Sequence, residues 1–530
     1  MKTMLKVENL TIKLKNGKVL VGPVNFSIAE NKVVALVGLS GSGKSMTCEA
    51  ILGLLDKKNF NISGNVFFNG INIFNLNEKE RATLRNSEMS FVYQDSTNAL
   101  VPVRKIEFFV KRIFKLHNYK MSNEKINKIF QLLNFNSFEP LKKKLPYELS
   151  GGEVQRVCSA LSLLLEPKLL IADEITTACD LITQMKILNF IKLICNERLN
   201  SNQKPLSIIF ITHDLNIVKK IADEIIIFKD GLIQEIGTPQ EIFNAPKTDA
   251  TKEHINAKIK NFSDVQEKQK LFSKEKTPLL YKVNNLNFSY KDKTILKNVS
   301  FNLHKARLYT LVGKSGSGKT SLLKLLSGIL NSNNNITNAN ENSNPIKHNI
   351  HTPGKIQLVF QNPRKSFDPQ YTAEQSLFES LKTNSNYNNN FFTKQTEKKK
   401  VYLKAMSFVN LPKSFLSKFP HQMSGGELQR LAIARALISE PEIIFMDEPT
   451  ASLDSVNKKI ILQLIQRLVF EKAITVFIVT HDLDIPLELN SPCFVLDSTQ
   501  IEEYENVHTM LNNPKSKFLQ ELKTAVMHLE

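Results

Sequence analysis

No stretch of this sequence stays apolar over the ~18–20 residues that a membrane-spanning helix needs. The opening MKTMLKVENL also lacks the apolar core of a secretory leader. The chain alone is therefore expected to be soluble, and any membrane association should run through a partner. Cysteine is scarce: the five, at positions 48, 158, 179, 195 and 493, lie far apart and form no C-x-x-C. That spacing excludes a cysteine-ligated cluster and a disulfide framework, and suits a reducing compartment. Acidic residues are outnumbered 51 to 70 by basic ones, for a net charge of +19. Such a balance would suit nucleic acid or an anionic membrane surface. The excess belongs to a lysine- and asparagine-rich composition spread over solvated faces, so no nucleic-acid partner is expected.

At 530 residues with 42% hydrophobic content, the chain is long enough for two domains with substantial cores. Internal repeats decide how they are arranged. VVALVGLSGSGKSMT at Val33–Thr47 recurs as LYTLVGKSGSGKTSL at Leu308–Leu322, and LSGGEVQR at Leu149–Arg156 recurs as MSGGELQR at Met423–Arg430. IADEITTACD at Ile171–Asp180 is matched by FMDEPTASLD at Phe445–Asp454, and IIFITHDL at Ile208–Leu215 by VFIVTHDL at Val476–Leu483. In both halves, 23 positions separate the signature serine (Ser150, Ser424) from the first carboxylate (Asp173, Asp447). Two complete sets in one order indicate a duplicated domain.

Each half reads as α/β. The runs VVALVG, LLIADE and IIFITH are short and β-branched, as buried parallel strands are, and helical apolar spacing lies between them. GNVFFNGINIF alternates around Asn69-Gly70, which predicts a hairpin in a small antiparallel subsheet. The second half lacks that pattern and carries the asparagine-rich stretches Asn331–Pro345 and Asn384–Asn390, too polar to pack and read as disordered surface loops. The domains are placed at 1–246 and 277–530, with 247–276 as a linker poor in large apolar residues.

GLSGSGKS and GKSGSGKT both fit G-x-x-x-x-G-K-[ST] between a strand and a helix. Backbone amides of such a loop, with the helix N-terminus behind them, cradle phosphates. The candidate contacts are Gly38, Ser40, Gly41, Ser42, Gly43, Lys44 and Ser45, and in the second half Gly313, Ser315, Gly316, Ser317, Gly318, Lys319 and Thr320. The lysines should reach the β- and γ-phosphates of ATP, and Ser45 and Thr320 should ligate Mg²⁺. Asp173 and Asp447 end apolar strands where a phosphate-loop enzyme holds its metal. Glu174 and Glu448, next in sequence, are candidate general bases for γ-phosphate hydrolysis; taken alone, Asp-Glu at a strand end could instead be an ordinary helix cap, the less favoured alternative. His213 and His481 are candidate γ-phosphate contacts, and Gln94 and Gln361 candidates for the metal shell and the attacking water. Ser150–Glu153 and Ser424–Glu427 fit the S-x-x-E capping box. The glycines Gly151, Gly152, Gly425 and Gly426 leave first-turn amides bare for a phosphate.

Phosphate loop, glutamine, LSGGE, Asp-Glu and His-Asp, in that order and twice, resemble the ATP-binding cassette ATPases over nearly the whole chain. The resemblance implies two tandem phosphate-loop domains, each with a mostly parallel sheet, a small antiparallel part and a helical subdomain. It also implies an intramolecular cassette dimer, in which each ATP lies between the phosphate loop of one cassette and the signature of the other. VALVGLSGSGKSMTCEAILGLL and FQNPRKSFDPQYTAEQSLFESL are similar to the first and second ATPases of nickel and dipeptide/oligopeptide importers, here in one chain. The partners so implied are two transmembrane permease subunits and an extracellular substrate-binding protein, with the ATPase peripheral on the cytoplasmic side of the cell membrane. The substrate would be a peptide, nickel or a metal–metallophore complex. Tandem-cassette translation or antibiotic-resistance ATPases of the ribosome are an alternative, but they carry N-H-L-D and H-D-R where this chain has TACD, ASLD and HDL. Tandem sugar-importer ATPases are another, and commonly depart from LSGG in the second half.

The halves differ at three places. The family stacks an aromatic on adenine, which Tyr290 would supply; the aligned residue of the first half is Leu14, so weaker nucleotide binding is expected there. The asparagine-rich loop replaces the hairpin. Ile175 stands for Pro449 and Cys179 for Leu453. With both Asp-Glu pairs intact, two hydrolytic sites are expected, and IADEITTACD reads as a working copy with altered communication.

Overall fold

The computed structural model describes residues 2–527, apart from 40, 94–98, 117–121, 134, 150, 176–179, 201–204, 213–214, 260–276, 291–292, 315, 331–355, 383–394 and 452. The chain forms two compact units, drawn chiefly from Met1–Lys260 and Asn261–Thr524.

In the first unit, β1 (Thr3–Leu14), β2 (Val19–Ala29), β4 (Phe60–Phe68) and β5 (Ile71–Asn72) form an antiparallel sheet in the order β2-β1-β4-β5. The predicted turn joins β4 to β5: Asn69 at φ 48° and Gly70 at φ 83° are the two positive angles of a type I′ hairpin. The second sheet contains β3 (Val33–Gly38), β6 (Met89–Val92), β7 (Leu169–Asp173), β8 (Ser207–Thr212), β9 (Glu224–Lys229) and β10 (Leu232–Gly237). Its order is β10-β9-β3-β8-β7-β6, and β10 alone runs antiparallel to its neighbour. All residues of β3, β7 and β8 are buried, because both faces of the sheet are covered. Alternate residues serve different cores. Leu169, Ile171, Ile209 and Ile211 pack with the antiparallel sheet, whereas Leu170, Ala172, Ile208 and Phe210 pack with the helices Ile106–Leu116, Asn123–Leu132 and Gly151–Leu164. Register sets Asp173 opposite Ile211 and Val37 opposite Thr212, so the ends of β3, β7 and β8 meet along one edge. Open α/β sheets bind their ligands at such an edge.

The second unit has β11 (Leu279–Tyr290) paired with β12 (Lys293–His304). A six-stranded sheet follows, of β13 (Leu308–Gly313), β14 (Ile356–Val359), β15 (Ile443–Asp447), β16 (Thr475–Thr480), β17 (Cys493–Asp497) and β18 (Gln500–Tyr504). Its order, β14-β15-β16-β13-β17-β18, is that of the first unit strand for strand. The asparagine-rich stretches lie outside the described residues. Among the described residues, no helix is long and apolar enough to cross a membrane.

Part of the span read as linker is a helix, Asp249–Ile259, within the first unit. Polar bonds rather than an apolar stripe hold its start, which is why the composition of the segment misleads. Thr248 accepts from the Thr251 amide at 3.3 Å. The Glu235 carboxylate accepts from the Lys247 and Thr248 amides at 3.0 and 3.1 Å and from the Thr251 hydroxyl at 2.6 Å. Glu235→Ala strips the buried Thr251 hydroxyl and two part-buried amides of their acceptor and should cost about 2 kcal/mol, since an orphaned buried group costs roughly 1–3 kcal/mol. A lowered urea midpoint for the first unit is the expected reading; an unchanged midpoint would mean that the helix is a passive tail.

Candidate nucleotide sites

Each phosphate loop leaves its strand at a glycine and enters its helix at another. Gly43 and Gly318 cap the helices Lys44–Ile51 and Lys319–Leu326 in the left-handed region, at φ 99° and 104°. A Cβ on Gly318 would stand 2.4 Å from Ile295 Cγ2, and one on Gly43 would stand 2.7 Å from Val21 Cγ2. Both lysines are buried. Lys44 Nζ donates to the Gly38 and Leu39 carbonyls at 2.9 and 2.8 Å, and Lys319 Nζ to those of Gly313 and Lys314 at 2.8 Å each. Ser42 accepts from Lys44 at 3.2 Å, whereas the buried Ser317 hydroxyl has no partner among the described residues. The turn glycines Gly41 and Gly316 face open space. Ser40 and Ser315 lie outside the described residues.

The first helical hydroxyl meets the strand-end aspartate in both units. Ser45 hydrogen-bonds Asp173, and Thr320 Oγ1 donates to Asp447 Oδ2 at 2.8 Å. Burial pushes both aspartates up, Asp173 to about 6, against the pull of these hydroxyls. Hydroxyl and carboxylate oxygens side by side are the hard donors that Mg²⁺ takes, so the residues fit that ion.

In the second unit the remaining candidates converge on one carboxylate. Glu448 Oε2 accepts from Gln361 Nε2 at 2.7 Å, and Glu448 Oε1 lies 2.8 Å from His481 Nδ1. Burial would raise the Glu448 carboxyl, but the hydrogen bond and charge of His481, with Lys319 behind, hold it below the usual range. Burial likewise lowers the histidine, and Glu448 outweighs it, keeping the imidazole above its ordinary value. The bond to His481 thus favours the carboxylate in the basic form a proton acceptor needs. In the first unit Gln94 and His213 lie outside the described residues. Glu174 is placed by its neighbours: its amide donates to the Ile211 carbonyl at 3.0 Å, and its own carbonyl accepts from Gln155 Nε2 at 3.2 Å.

Neither glutamate caps a helix. Glu174 and Glu448 adopt φ of 48° and 46°, a left-handed conformation uncommon outside glycine and asparagine. The helix caps are instead the aspartates that close IADEITTACD and FMDEPTASLD. Asp180 accepts from the Thr183 amide at 3.0 Å, and Asp454 from the Asn457 amide at 2.9 Å. Sequence reasoning missed both, although Asp immediately before an apolar-periodic run is a cap signal. Cys179 lies outside the described residues. Ile175 is buried and lines a small apolar cavity with Val92, Leu163, Leu170 and Ile208, and Pro449 is buried at the matching place of the second unit.

The second signature forms the predicted capping box: Ser424 accepts from the Glu427 amide at 3.3 Å, and its own amide donates to Glu427 at 2.7 Å. A Cβ on Gly426 would meet Asn457 Oδ1 at 2.5 Å. The first signature helix begins at Gly151 and runs through Gly152, and Ser150 lies outside the described residues. Tyr290, at the end of β11, is 42% exposed and edge-on to Phe288. Leu14 holds the same place at the end of β1 and is half-buried.

A sequence profile described as ABC transporter matches residues 21–177 and 296–451, more than half of the chain. The chain belongs to this family. It is an ATPase with two tandem ABC domains that bind ATP. It is 30% identical to the peptidoglycan transport ATP-binding protein YejF of Agrobacterium fabrum, over 99% of this chain and 97% of the relative. It is 28% identical to the glutathione import ATP-binding protein GsiA of Escherichia coli K12, over 99% and 89%. Among solved structures, the archaeal ribosome recycling factor aABCE1, in complex with the stalk protein aP1, matches 98% of both chains with a TM-score of 0.61. At 18% identity that likeness shows the fold alone. For the second ABC domain, Gly318→Ala combines a methyl clash with a left-handed backbone that costs roughly 1–3 kcal/mol for a non-glycine residue. Nucleotide affinity there, measured with the first loop disabled by Lys44→Ala, should fall about 10-fold or more; unchanged affinity would show that the loop tolerates the bulk.

Proposed function

We propose that this chain is the energising subunit of an importer, with both ABC domains hydrolytic. Its substrate is a peptide or peptide-like molecule delivered by an extracellular binding protein to a permease of two transmembrane subunits, and the chain sits at the cytoplasmic face of the membrane. The observation that carries this reading is end-to-end similarity to subunits named for peptidoglycan transport and glutathione import. Nickel and metallophores, open from sequence similarity, have no support from these names. The likeness to the ribosome factor is one of fold, so it supports no ribosomal role.

In the proposed cycle Lys44 and Lys319 neutralise the β- and γ-phosphates of bound ATP. Mg²⁺, held by Ser45 and Asp173 or by Thr320 and Asp447, with Gln94 or Gln361 in its shell, would offset charge developing on the transferred phosphoryl group. Glu448 accepts a proton from the attacking water, which Gln361 orients and His481 helps aim at the γ-phosphate. Glu174 takes the same part with Gln94 and His213. The signature residues Ser150–Gly152 and Ser424–Gly426 complete the phosphate contacts as the family resemblance implies, and Tyr290 stacks on adenine.

Three measurements check this reading. Glu174→Gln and Glu448→Gln should each slow turnover at their own site by at least ~10²-fold, the lower end of what a general base supplies; full hydrolysis in either would show that its site runs without that base. Tyr290→Leu should weaken nucleotide binding at the second site about 10-fold, towards that of the first, because an aromatic–base stack is worth ~1–3 kcal/mol. Affinity purification from native membranes should recover integral membrane proteins; recovery of ribosomal subunits without them would overturn the importer reading.

A further inference from the structure

The helix Ser455–Lys472 opens with a lysine that its own backbone does not favour. Lys458 lies in the first turn, after the Asp454 cap, where the helix dipole repels a cation. Its side chain is only 17% exposed, and its ammonium is 2.6 Å from Asp482 Oδ2 and 3.5 Å from Asp484 Oδ2. Asp482 immediately follows the histidine that pairs with Glu448. The turn between them is tied along its backbone: the Asp482 amide donates to Thr480 Oγ1 at 3.0 Å, and the Asp484 amide to Asp482 Oδ1 at 2.9 Å. Lys458 fastens this turn to the helix Ser455–Lys472. A continuous chain of contacts therefore runs from the helix behind Asp454 through Lys458, Asp482 and His481 to Glu448, whose other oxygen receives Gln361.

We propose that Lys458 is a positioning residue for hydrolysis at the second ABC domain: by clamping Asp482 it keeps the His481 ring on Glu448. This rests on the catalytic reading of His481 and Glu448 given above. An exposed ion pair would contribute little, but this ammonium is largely buried, and replacing it leaves two facing carboxylates beside the histidine, with Glu488 close behind. The clamp's ion pairs join Lys458 to Asp482 and Asp484, whereas Thr320 bonds Asp447, so nucleotide binding is expected to survive loss of the clamp. The first domain is built differently: counting from Asp180 and His213, the corresponding positions are Gln184 and Asn216, both uncharged.

The test uses the full chain carrying Glu174→Gln, so that hydrolysis reports the second site. Lys458→Gln should lower kcat about 10-fold while KM for ATP stays within about twofold, because a misplaced catalytic group costs rate more than binding. Lys458→Arg, which keeps the charge, should recover most of the rate. Added to His481→Ala, Lys458→Gln should cause no further loss, since residues acting through one another are not additive. Full kcat in Lys458→Gln alongside an impaired His481→Ala would overturn the clamp and leave the catalytic reading standing. Full kcat in His481→Ala would overturn both. A further loss on the His481→Ala background, or loss of ATP binding with the rate, would assign Lys458 to fold stability and overturn the proposal.

Discussion

A single backbone hydrogen bond in each ABC domain sets the direction of the chemistry. The amide of Glu448 donates to the Val479 carbonyl at 2.8 Å, and that of Glu174 to the Ile211 carbonyl at 3.0 Å. Each bond pins the residue just past one buried strand to the strand beside it. The backbone there turns left-handed, a conformation that costs a non-glycine residue roughly 1–3 kcal/mol. Parallel sheets buried on both faces supply the rigidity to impose it, since neither strand can slip without turning its apolar residues to the wrong core. With the turn imposed, the Glu448 carboxylate leaves the strand line and meets Gln361, just past β14 on one side, and His481, just past β16 on the other. Catalysis by positioning depends on that kind of enforced geometry.

Much of this was legible before any coordinates. Strands came from their β-branched runs, the hairpin from Asn69-Gly70, and the phosphate loops from glycine spacing, because those signals are local and steric. The left-handed glutamates were not legible, since nothing in Asp-Glu distinguishes a strained turn from a cap until the neighbouring strand is in place. The helix Asp249–Ile259 was missed for a related reason. Its anchor is Glu235, distant in sequence, and a polar anchor leaves no apolar period to read. Lys458 belongs to the same class: a lysine on a helix reads as solvated surface unless the carboxylates it meets can be seen.

The two acidic stretches also take on a sharper meaning. IADEITTACD and FMDEPTASLD share a strand end, a turned glutamate and a capping aspartate, and each of these shared residues has a bond that explains it. They differ at Ile175 and Pro449, both buried and neither carrying a side-chain donor or a ligand. Departures of this kind alter packing and backbone stiffness without removing a donor or a ligand. The first stretch is thus a different mounting for the same two carboxylates rather than a decayed one.

The asymmetry of the chain therefore lies around the chemistry rather than in it. Lysine, hydroxyl, aspartate and glutamate are matched one for one between the domains. What varies is the surround: Leu14 against Tyr290 at the ends of β1 and β11, Ile175 against Pro449 behind the base, and Gln184 with Asn216 against Lys458 with Asp484 beside the histidine. On the proposed roles of these residues, the substitutions would act on nucleotide affinity, backbone stiffness and the hold on the histidine, which are separable quantities. A duplicated enzyme whose halves share reacting groups but not mountings can let its two sites differ in occupancy and rate while both remain able to hydrolyse. Such a difference gives ATP binding at one site unequal leverage from binding at the other. In a machine driven by differential affinity between states, that inequality is itself a source of direction.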